Sequence, residues 1–264
     1  MATRILTGLI LAPLVIAAAW FAPDSMGLAI IVAGAFLATH EYLSMSSLRE
    51  LKWVLVAAAV WTAIGPLAVR FGNAHCLVGY LCVTPMLAMG LFLVLTDRIP
   101  KAYNEVAALG FSVSYVSVLM MAVAGLACLD GNGGPALLTL FAVVWLGDTG
   151  AYFGGKSLGR HKLHPKVSPK KTMEGSLFGL LGSVGGAFLI DAVFGTPLSW
   201  HALLLAGLLG GAAEQIGDLC ESVLKRSAGV KDSGKILPGH GGILDRIDGL
   251  LFAAPIVLYF YMQV

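Results

Sequence analysis

Charged residues are scarce in this sequence. Asp, Glu, Lys and Arg together make up 12% of the chain, whereas soluble globular domains contain about a quarter. The mean hydropathy is +0.84, and apolar stretches close to membrane-spanning length, roughly 17–25 residues, recur along the whole chain. These properties exclude an ordinary soluble domain and predict an integral membrane protein.

Cysteine is also scarce, and its placement excludes a disulfide framework. The chain has four cysteines, all in or beside apolar stretches and without paired metal-ligand spacing: Cys76, Cys82, Cys128 and Cys220. This pattern predicts reduced, buried packing residues. The sequence also lacks an extramembrane domain, a low-complexity linker and a convincing internal repeat.

Nine apolar stretches predict about nine transmembrane helices. They cover about residues 5–21, 26–43, 53–69, 75–96, 106–129, 135–153, 175–194, 200–219 and 248–262. Helices suit these stretches because lipid-exposed backbone must satisfy its own hydrogen bonds, and the alternating pattern of a β-barrel is missing. We therefore predict an all-α, polytopic integral membrane protein. The main alternative merges two neighbouring stretches into one span.

The basic residues predict the orientation of these helices. If nine spans start from a cytoplasmic N-terminus, every Lys and Arg except Arg70 falls in a cytoplasmic segment, which agrees with the preference of basic residues for that side. Arg4 and the apolar stretch after it are also compatible with a secretory signal peptide. The stretch is longer than the apolar part of such peptides, and further spans follow it, so a retained first span is favoured.

Two polar connections differ from the short turns between the other spans. Residues 156–174 and 222–248 hold nearly half of the charged residues in about a sixth of the length. We therefore divide the chain into an N-terminal transmembrane scaffold, residues 1–130, and a catalytic transmembrane region, residues 131–264. Glycine clusters within 179–186 and 207–211 predict close helix packing rather than ligand binding, because small residues let helices approach.

Acidic side chains recur at helical spacing in the second half. Glu214, Asp218 and Glu221 are four and three residues apart, which places them on one face of a helix. That face continues to Ser222 and Lys225. A lipid-facing stripe of charge would be costly. The face therefore either extends into solvent or lines a polar cavity.

Asp245 and Asp248 repeat this pattern at a spacing of three, where the ninth span begins. If the polar chain before them folds back, both converge with Asp218. Converging carboxylates with few His or Cys beside them suit a hard cation such as Mg²⁺, and a second cation stays open. Asp148, near the cytoplasmic end of the sixth span, is expected to face a polar cavity. The alternative for Asp148 is a packing contact with a neighbouring helix.

The residues around these acids suit the binding of phosphate. Four basic side chains could neutralise phosphates while a cation bridges them: Lys225, Arg226, Lys231 and Arg246. The glycines within residues 238–242 could allow close backbone approach to an anion. These include Gly239, Gly241 and Gly242, with His240 between them as a candidate to orient phosphate or to support the loop.

The other polar connection predicts a second phosphate contact. Lys170 and Lys171 precede Thr172 and Glu174, which are suited to begin a helix. Phosphate binding is favoured at a helix N-terminus. A basic loop that only controls topology or anchors on anionic lipid is the alternative. His161 and His164, without further zinc ligands, are expected in solvent, and His40 and Glu41 in the first half are expected to pack at the membrane interface.

Residues 222–248 resemble the C-terminal signature of phosphatidate cytidylyltransferases, also called CDP-diacylglycerol synthases. Residues 147–176 look like the second polar block of that family. This chain matches the signature at all of the following positions: Ser222, Lys225, Arg226, Lys231, Asp232, Gly234, Leu237, Pro238, His240, Gly241, Gly242, Asp245, Arg246 and Asp248. The resemblance covers the second half at the level of motifs and the first half by size and hydropathy.

The resemblance implies a magnesium-dependent reaction in which CTP and phosphatidic acid give CDP-diacylglycerol and pyrophosphate, a step of phospholipid biosynthesis. We assign metal binding to Asp218, Asp245 and Asp248. Phosphate contacts are assigned to Lys225, Arg226, Lys231 and Arg246. The remaining substrate-binding candidates are Asp148, Lys170, Lys171, Ser222, Gly239, His240, Gly241 and Gly242. The resemblance further implies a homodimer in the inner (plasma) membrane, with its site facing the cytoplasm and no nucleic-acid partner.

Three other functions fit the sequence less well. A CDP-alcohol phosphotransferase would carry a D-G-x2-A-R opening, which is missing here. A CTP-dependent polyprenol kinase is nearer in character, but it would release CDP. A secondary transporter would explain Asp148 and the nine spans, yet not the long polar block, and no inverted repeat is visible.

Overall fold

The computed structural model describes residues 13–21, 24–236 and 241–264, and it is almost entirely helical. Residues 13–21 are helical, and the helices that follow are α1 (Asp24–Ser44), α2 (Lys52–Phe71), α3 (Ala74–Val94), α4 (Ala102–Ser112), α5 (Leu119–Ala127), α6 (Gly133–Leu158), α7 (Met173–Phe194), α8 (Trp200–Ser227) and α9 (Leu244–Tyr261). A π-helical segment, Val113–Val118, joins α4 to α5. Short 3₁₀ turns cover Ser47–Glu50 and Thr96–Lys101. The predicted polytopic, helical fold is confirmed.

Seven of the described helices are long and apolar enough to cross a membrane. They are α1, α2, α3, the continuous helix over Asp97–Ala127, α6, α7 and α8. The ninth predicted stretch coincides with α9, whose first turns carry Asp245, Arg246 and Asp248. The first predicted stretch lies partly outside the described residues. The count of nine and the cytoplasmic N-terminus stay predictions.

A two-stranded hairpin departs from the all-α prediction. Strand β1 (Lys162–His164) pairs antiparallel with β2 (Ser168–Thr172) in the connection between α6 and α7. Pro165 lies in the turn, which the Val167 amide closes by donating to the His164 carbonyl at 3.2 Å. Proline favours such turn positions and interrupts helices. The hairpin therefore gives the polar connection between α6 and α7 a defined structure.

Glycine allows α6, α7 and α8 to pack against one another. A Cβ added to Gly186 would lie 2.5 Å from the Ala142 carbonyl oxygen, and one added to Gly207 would lie 2.6 Å from the Cα of Val184. Ser183 of α7 donates to the Val143 carbonyl of α6 at 2.8 Å. The prediction that the glycine clusters serve helix packing is confirmed, and this packing brings the polar ends of the three helices together.

The polar connections lie at one common end of the helices. Arg98 donates to Glu50 at 3.3 Å and to the Ser47 carbonyl at 3.0 Å, which joins the connection before α2 to the one before α4. Arg98 also pairs with the buried Glu105 at 2.5 Å. Because consecutive helices alternate in direction, the hairpin and the segment before α9 lie at this same end.

The cysteines differ in part from the prediction. Cys76, Cys82 and Cys220 are thiols without disulfides, as expected, but their side chains are exposed on the protein surface. Cys128 is half-buried. The prediction of burial is wrong for the three exposed cysteines, because the outer surface of a membrane-spanning helix is itself an apolar environment.

Candidate active site

A cavity opens where α6, α7, α8 and the hairpin meet. Its volume is about 340 Å³. The polar side chains that line it are Asp148, Tyr152, Lys156, Lys170, Lys171, Thr172, Ser176, Glu214 and Gln215. Asp148 therefore faces a cavity, as its depth in the sixth predicted span indicates. The two hairpin lysines that were predicted to meet phosphate line the same space.

The N-terminus of α7 holds the hairpin in place. The Thr172 hydroxyl accepts from the Gly175 amide at 3.1 Å, so the predicted helix cap is confirmed. Glu174 accepts from the Arg160 amide at 3.1 Å and contacts the His161 ring at 2.6 Å. Glu174 thus fixes the start of the hairpin. Lys170 and Lys171 are held beside a helix N-terminus, where backbone amides and the helix dipole favour anions.

An ion pair links the hairpin to the acidic face of α8. Lys171 Nζ lies 2.6 Å from Asp218 Oδ2, and both side chains are partly exposed. The Ser222 hydroxyl donates to Asp218 Oδ1 at 3.3 Å. One turn away, Gln215 donates to the Ser176 carbonyl at 3.0 Å and fastens α8 to α7. Asp218 is therefore at the surface of the site, with one oxygen in contact with a lysine.

Lys225 lies beneath the site between two buried carboxylates. Its ammonium group donates to Asp245 Oδ1 at 2.6 Å and contacts Glu221 Oε2. The side chains of Lys225, Glu221 and Asp245 are 11%, 0% and 5% exposed. The predicted phosphate contact of Lys225 does not agree with this geometry, because its charge already neutralises two carboxylates.

Asp245 is occupied by hydrogen bonds rather than open to a cation. Its Oδ2 atom accepts from the Gly242 amide at 2.8 Å and from the Ser233 amide at 2.9 Å, while Lys225 holds Oδ1. The Ser233 hydroxyl lies 3.0 Å from the same Oδ2 atom. Asp245 therefore organises the segment before α9.

The predicted convergence of Asp218, Asp245 and Asp248 is not present. Within the described ranges, no set of three or more His, Cys, Asp or Glu side chains is arranged as a metal-ligand group. Asp248 is instead close enough to Asp218 and Glu221 for their charges to interact. We call Asp218, Glu221 and Asp248 the acidic cluster.

The acidic cluster retains oxygen atoms that could bind a hard cation. Glu221 Oε1 is buried and has no hydrogen-bond partner among the residues that the structure describes. The Tyr115 hydroxyl is likewise buried there without a described partner, and it interacts electrostatically with Glu221 and Asp248. Unpaired carboxylate oxygens in such surroundings suit Mg²⁺. Sequence reasoning placed Glu221 on the acidic face without a role and missed Tyr115.

Glu41 is the second residue that sequence reasoning missed. It lies on α1, is 4% exposed, and accepts from the Leu244 amide at 2.8 Å and the Ile243 amide at 3.1 Å. The prediction of interfacial packing is wrong for Glu41, because its carboxylate caps α9. The available signal was a carboxylate inside an otherwise apolar stretch of the first half.

The remaining predicted residues differ in their surroundings. Lys170, Arg226, Lys231 and Arg246 are exposed, and Arg226 donates to the Val230 carbonyl at 3.3 Å. Gly239 and His240 lie outside the described residues. Gly241 has a φ of +82°, a left-handed conformation that favours glycine.

Comparison with known proteins identifies the family. The cytidylyltransferase family matches residues 2–264. A phosphatidate cytidylyltransferase of Brucella suis is 33% identical over 262 residues, which cover 98% of this chain and 92% of the relative. One from Staphylococcus saprophyticus is 35% identical over 234 residues, with 87% of each chain covered. One from Synechocystis is 52% identical over 124 residues, covering 46% of this chain and 41% of the relative. The chain therefore belongs to the cytidylyltransferase family.

Proposed function

We propose that this membrane protein is a phosphatidate cytidylyltransferase, which transfers CMP from CTP to phosphatidic acid and releases pyrophosphate. One observation carries the proposal. The two polar connections meet at one end of the helices, where the Lys171–Asp218 ion pair joins a lysine-lined cavity to the acidic cluster. The names of the full-length relatives agree with this activity.

The proposed transfer is a displacement at the α-phosphorus of CTP. A phosphatidate oxygen attacks the α-phosphorus of CTP, and a new P–O bond forms as the bond to the bridging oxygen of pyrophosphate breaks. The electron pair of that bond leaves with pyrophosphate. A phosphate anion is already a nucleophile, so no covalent enzyme intermediate is needed. The protein therefore contributes by positioning the two anions and stabilising their charge.

The basic residues divide into two groups for this task. Lys170 and Arg246 are exposed, and Lys171 is partly exposed beside the cavity, so all three can contact phosphates. Arg226 and Lys231 extend this positive surface. Lys225 supports the site from below through its two buried carboxylates.

Magnesium is the cation that this set of oxygen ligands suits. Asp218, Glu221 and Asp248 would hold it once their side chains draw together, since they form no ready ligand group as the described residues stand; when bound it supplies positive charge that offsets the phosphates of the substrates. A second cation at the same cluster stays a prediction. Without a bound metal ion, the positive charges next to these carboxylates are the ammonium groups of Lys171 and Lys225.

The position of the site fits its two substrates. CTP would reach it from the cytoplasm, and phosphatidate would reach it from the inner leaflet of the inner (plasma) membrane, which requires a cavity that is open sideways to lipid. The basic residues concentrated in these connections support the cytoplasmic orientation. A homodimer stays a prediction from the family resemblance.

The reaction is tested with purified protein in mixed micelles of detergent and phosphatidic acid. CTP labelled at the α-phosphate should transfer its label to lipid when Mg²⁺ is present, and not when it is removed by EDTA. CTP labelled at the γ-phosphate should give labelled pyrophosphate. Label from the γ-phosphate in the lipid, together with CDP release, would instead identify a lipid kinase.

The Asp248→Asn variant tests the acidic cluster. We expect it to lower kcat by about 100-fold or more, because removing one electrostatic stabiliser of a transition state typically costs 10²–10³. Asp191→Asn is the matched control, since Asp191 binds Thr196 at the opposite end of α7, away from the cavity. Equal activity of the two folded variants would contradict the assignment of Asp248.

A further inference from the structure

We infer that Glu41 is a positioning residue for the cytidylyl transfer, although it lies in the N-terminal half and outside both polar connections. It would act by holding the described residues at the two ends of the segment 233–244, Ser233 and the start of α9, in the arrangement that the site requires. The inference rests on the proposed function, because it assigns Glu41 to that reaction. Glu41 binds Ser233 and the amides of Ile243 and Leu244, so its effect on the reaction must pass through these residues.

The carboxylate of Glu41 ties together the two sides of the segment. The Ser233 hydroxyl lies 3.2 Å from Glu41 Oε2. On the other side, the Ile243 amide donates to Oε1 at 3.1 Å and the Leu244 amide donates to Oε2 at 2.8 Å. One side chain thereby fastens chain positions that are ten residues apart in sequence.

The surrounding glycines leave room for this carboxylate. A Cβ added to Gly234 or to Gly242 would overlap the carboxylate of Glu41. No other side chain could occupy these positions without displacing Glu41 or the backbone. Both glycines also fall within the signature segment, so part of the glycine pattern serves to admit Glu41 and not only a ligand.

The charge of Glu41 is balanced by the start of α9. Among the described residues Glu41 forms no ion pair with Lys, Arg or His, and its partners are backbone amides and a hydroxyl. Amides at a helix N-terminus and the helix dipole stabilise a carboxylate. A buried charge remains more costly than an apolar side chain of similar volume. Its presence therefore indicates a need to hold this segment in one conformation.

A chain of hydrogen bonds connects Glu41 to the acidic cluster. The Ser233 hydroxyl lies within hydrogen-bond distance of both Glu41 Oε2 and Asp245 Oδ2, at 3.2 Å and 3.0 Å, and can donate to either. Asp245 binds Lys225 at 2.6 Å, and Lys225 contacts Glu221 of the cluster. Loss of Glu41 would free the segment and shift Asp245, which would then displace the cation and phosphate contacts.

The test compares Glu41→Gln with Glu105→Gln. Glu105 is an equally buried glutamate of the N-terminal half, and its partners, Arg98 and Ser47, lie outside the site. For each variant we would measure kcat and KM for CTP, together with hydrogen–deuterium exchange of a peptide covering residues 228–244. Both substitutions are expected to lower the thermal unfolding temperature, so the assays are run well below it.

Glu41→Gln should lower kcat/KM for CTP by about 10- to 100-fold, since small misplacements of a site cost this much. It should also accelerate exchange in the 228–244 peptide. Glu105→Gln should leave kcat/KM within about threefold of the parent value and leave that peptide unchanged. A similar kinetic effect of both variants, or unchanged exchange in Glu41→Gln, would overturn the inference.

The Ser233→Ala variant supplies a second test if Glu41→Gln folds poorly. This variant removes the hydroxyl that contacts both Glu41 and Asp245. It should lower kcat/KM by less than Glu41→Gln does, and it should also accelerate exchange in the 228–244 peptide. Unchanged kinetics would count against the role of Glu41. If the parent protein forms no CDP-diacylglycerol, the proposed function fails. The exchange measurement would then still show whether Glu41 holds the segment.

Discussion

At the scale of the residue, the carboxylates of the second half differ in the partners that their oxygens contact. Asp245 lies next to Asp248 along the helix, yet its oxygens are occupied by Lys225 and two backbone amides. Asp218 is partly exposed and pairs with Lys171, and Glu221 contributes a buried oxygen without a described partner. Spacing alone does not separate these roles, because all of these residues occur at helical intervals.

Removal of Lys225 should destabilise the protein more than it alters substrate affinity. Lys225→Met leaves Glu221 and Asp245 buried without their shared cation, and breaking a buried ion pair costs roughly 3–5 kcal/mol. Thermal unfolding in detergent micelles measures the loss. Lys235→Met, at an exposed position of the same segment, should change stability by less than about 0.5 kcal/mol. A Lys225→Met variant as stable as the parent would contradict the framework role.

At the scale of the element, α6, α7 and α8 form a tightly packed unit that positions the cavity. Gly182 and Gly186 bring α7 onto the backbone of α6, and Gly207 brings α8 onto α7. Because lipid removes the usual hydrophobic drive between helices, such close contact depends on small residues. Asp148, Ser176 and Glu214 come from the three different helices. Their mutual distances therefore follow from this packing.

Gly182→Ala should widen this unit, because the added Cβ would meet the backbone carbonyl of Leu146, which cannot move alone. Overpacking of this kind costs about 1–3 kcal/mol, and the displaced lysines and acids should lower kcat. The control is Gly185→Ala on the same helix, whose Cβ would meet nothing within 4 Å. Gly185→Ala should be neutral or slightly stabilising, since Ala favours helix. Equal unfolding temperatures for the two variants would contradict the packing argument.

At the scale of the whole molecule, the polar connections share one end. Arg98 with Glu50, Lys171 with Asp218, and Glu41 with Leu244 join segments that are far apart in sequence. The proposed division into scaffold and catalytic region stays a prediction, but Glu41 and Tyr115 bring side chains of the first half to the site. The first half thus contributes to the geometry of the site.

Cysteine labelling should show that the polar connections lie on the same side of the membrane. In a background without the native cysteines, Lys101→Cys and Lys235→Cys should react with a membrane-impermeant maleimide in inside-out vesicles and not in intact spheroplasts. Asp130→Cys, in the turn between α5 and α6, should show the opposite pattern. All three positions are exposed. Labelling of Lys101→Cys and Lys235→Cys from opposite sides would contradict the arrangement of the helices.

Much of the helical fold and of the site's location was predictable. Each predicted stretch from the second onward coincides with a helix, because apolar length is a direct requirement of a lipid environment. The Thr172 cap followed from local chemistry. Sequence did not predict the β1–β2 hairpin or the roles of Lys225 and Asp245. The neighbouring residues in the sequence do not determine which group a charged side chain in a loop or helix turn will contact.

The amino-acid sequence by itself determined the membrane-spanning helices, the close helix packing at the glycine clusters, the family, and the position of the two polar connections in the chain. Hydropathy, small residues and contiguous motifs act over one helix or one loop, so they can be read without a fold. Only the tertiary structure decided that Glu41 contacts Ser233 and the start of α9 and that Tyr115 lies beside the acidic cluster. These contacts join residues from distant helices, and which side chains meet depends on how the helices pack.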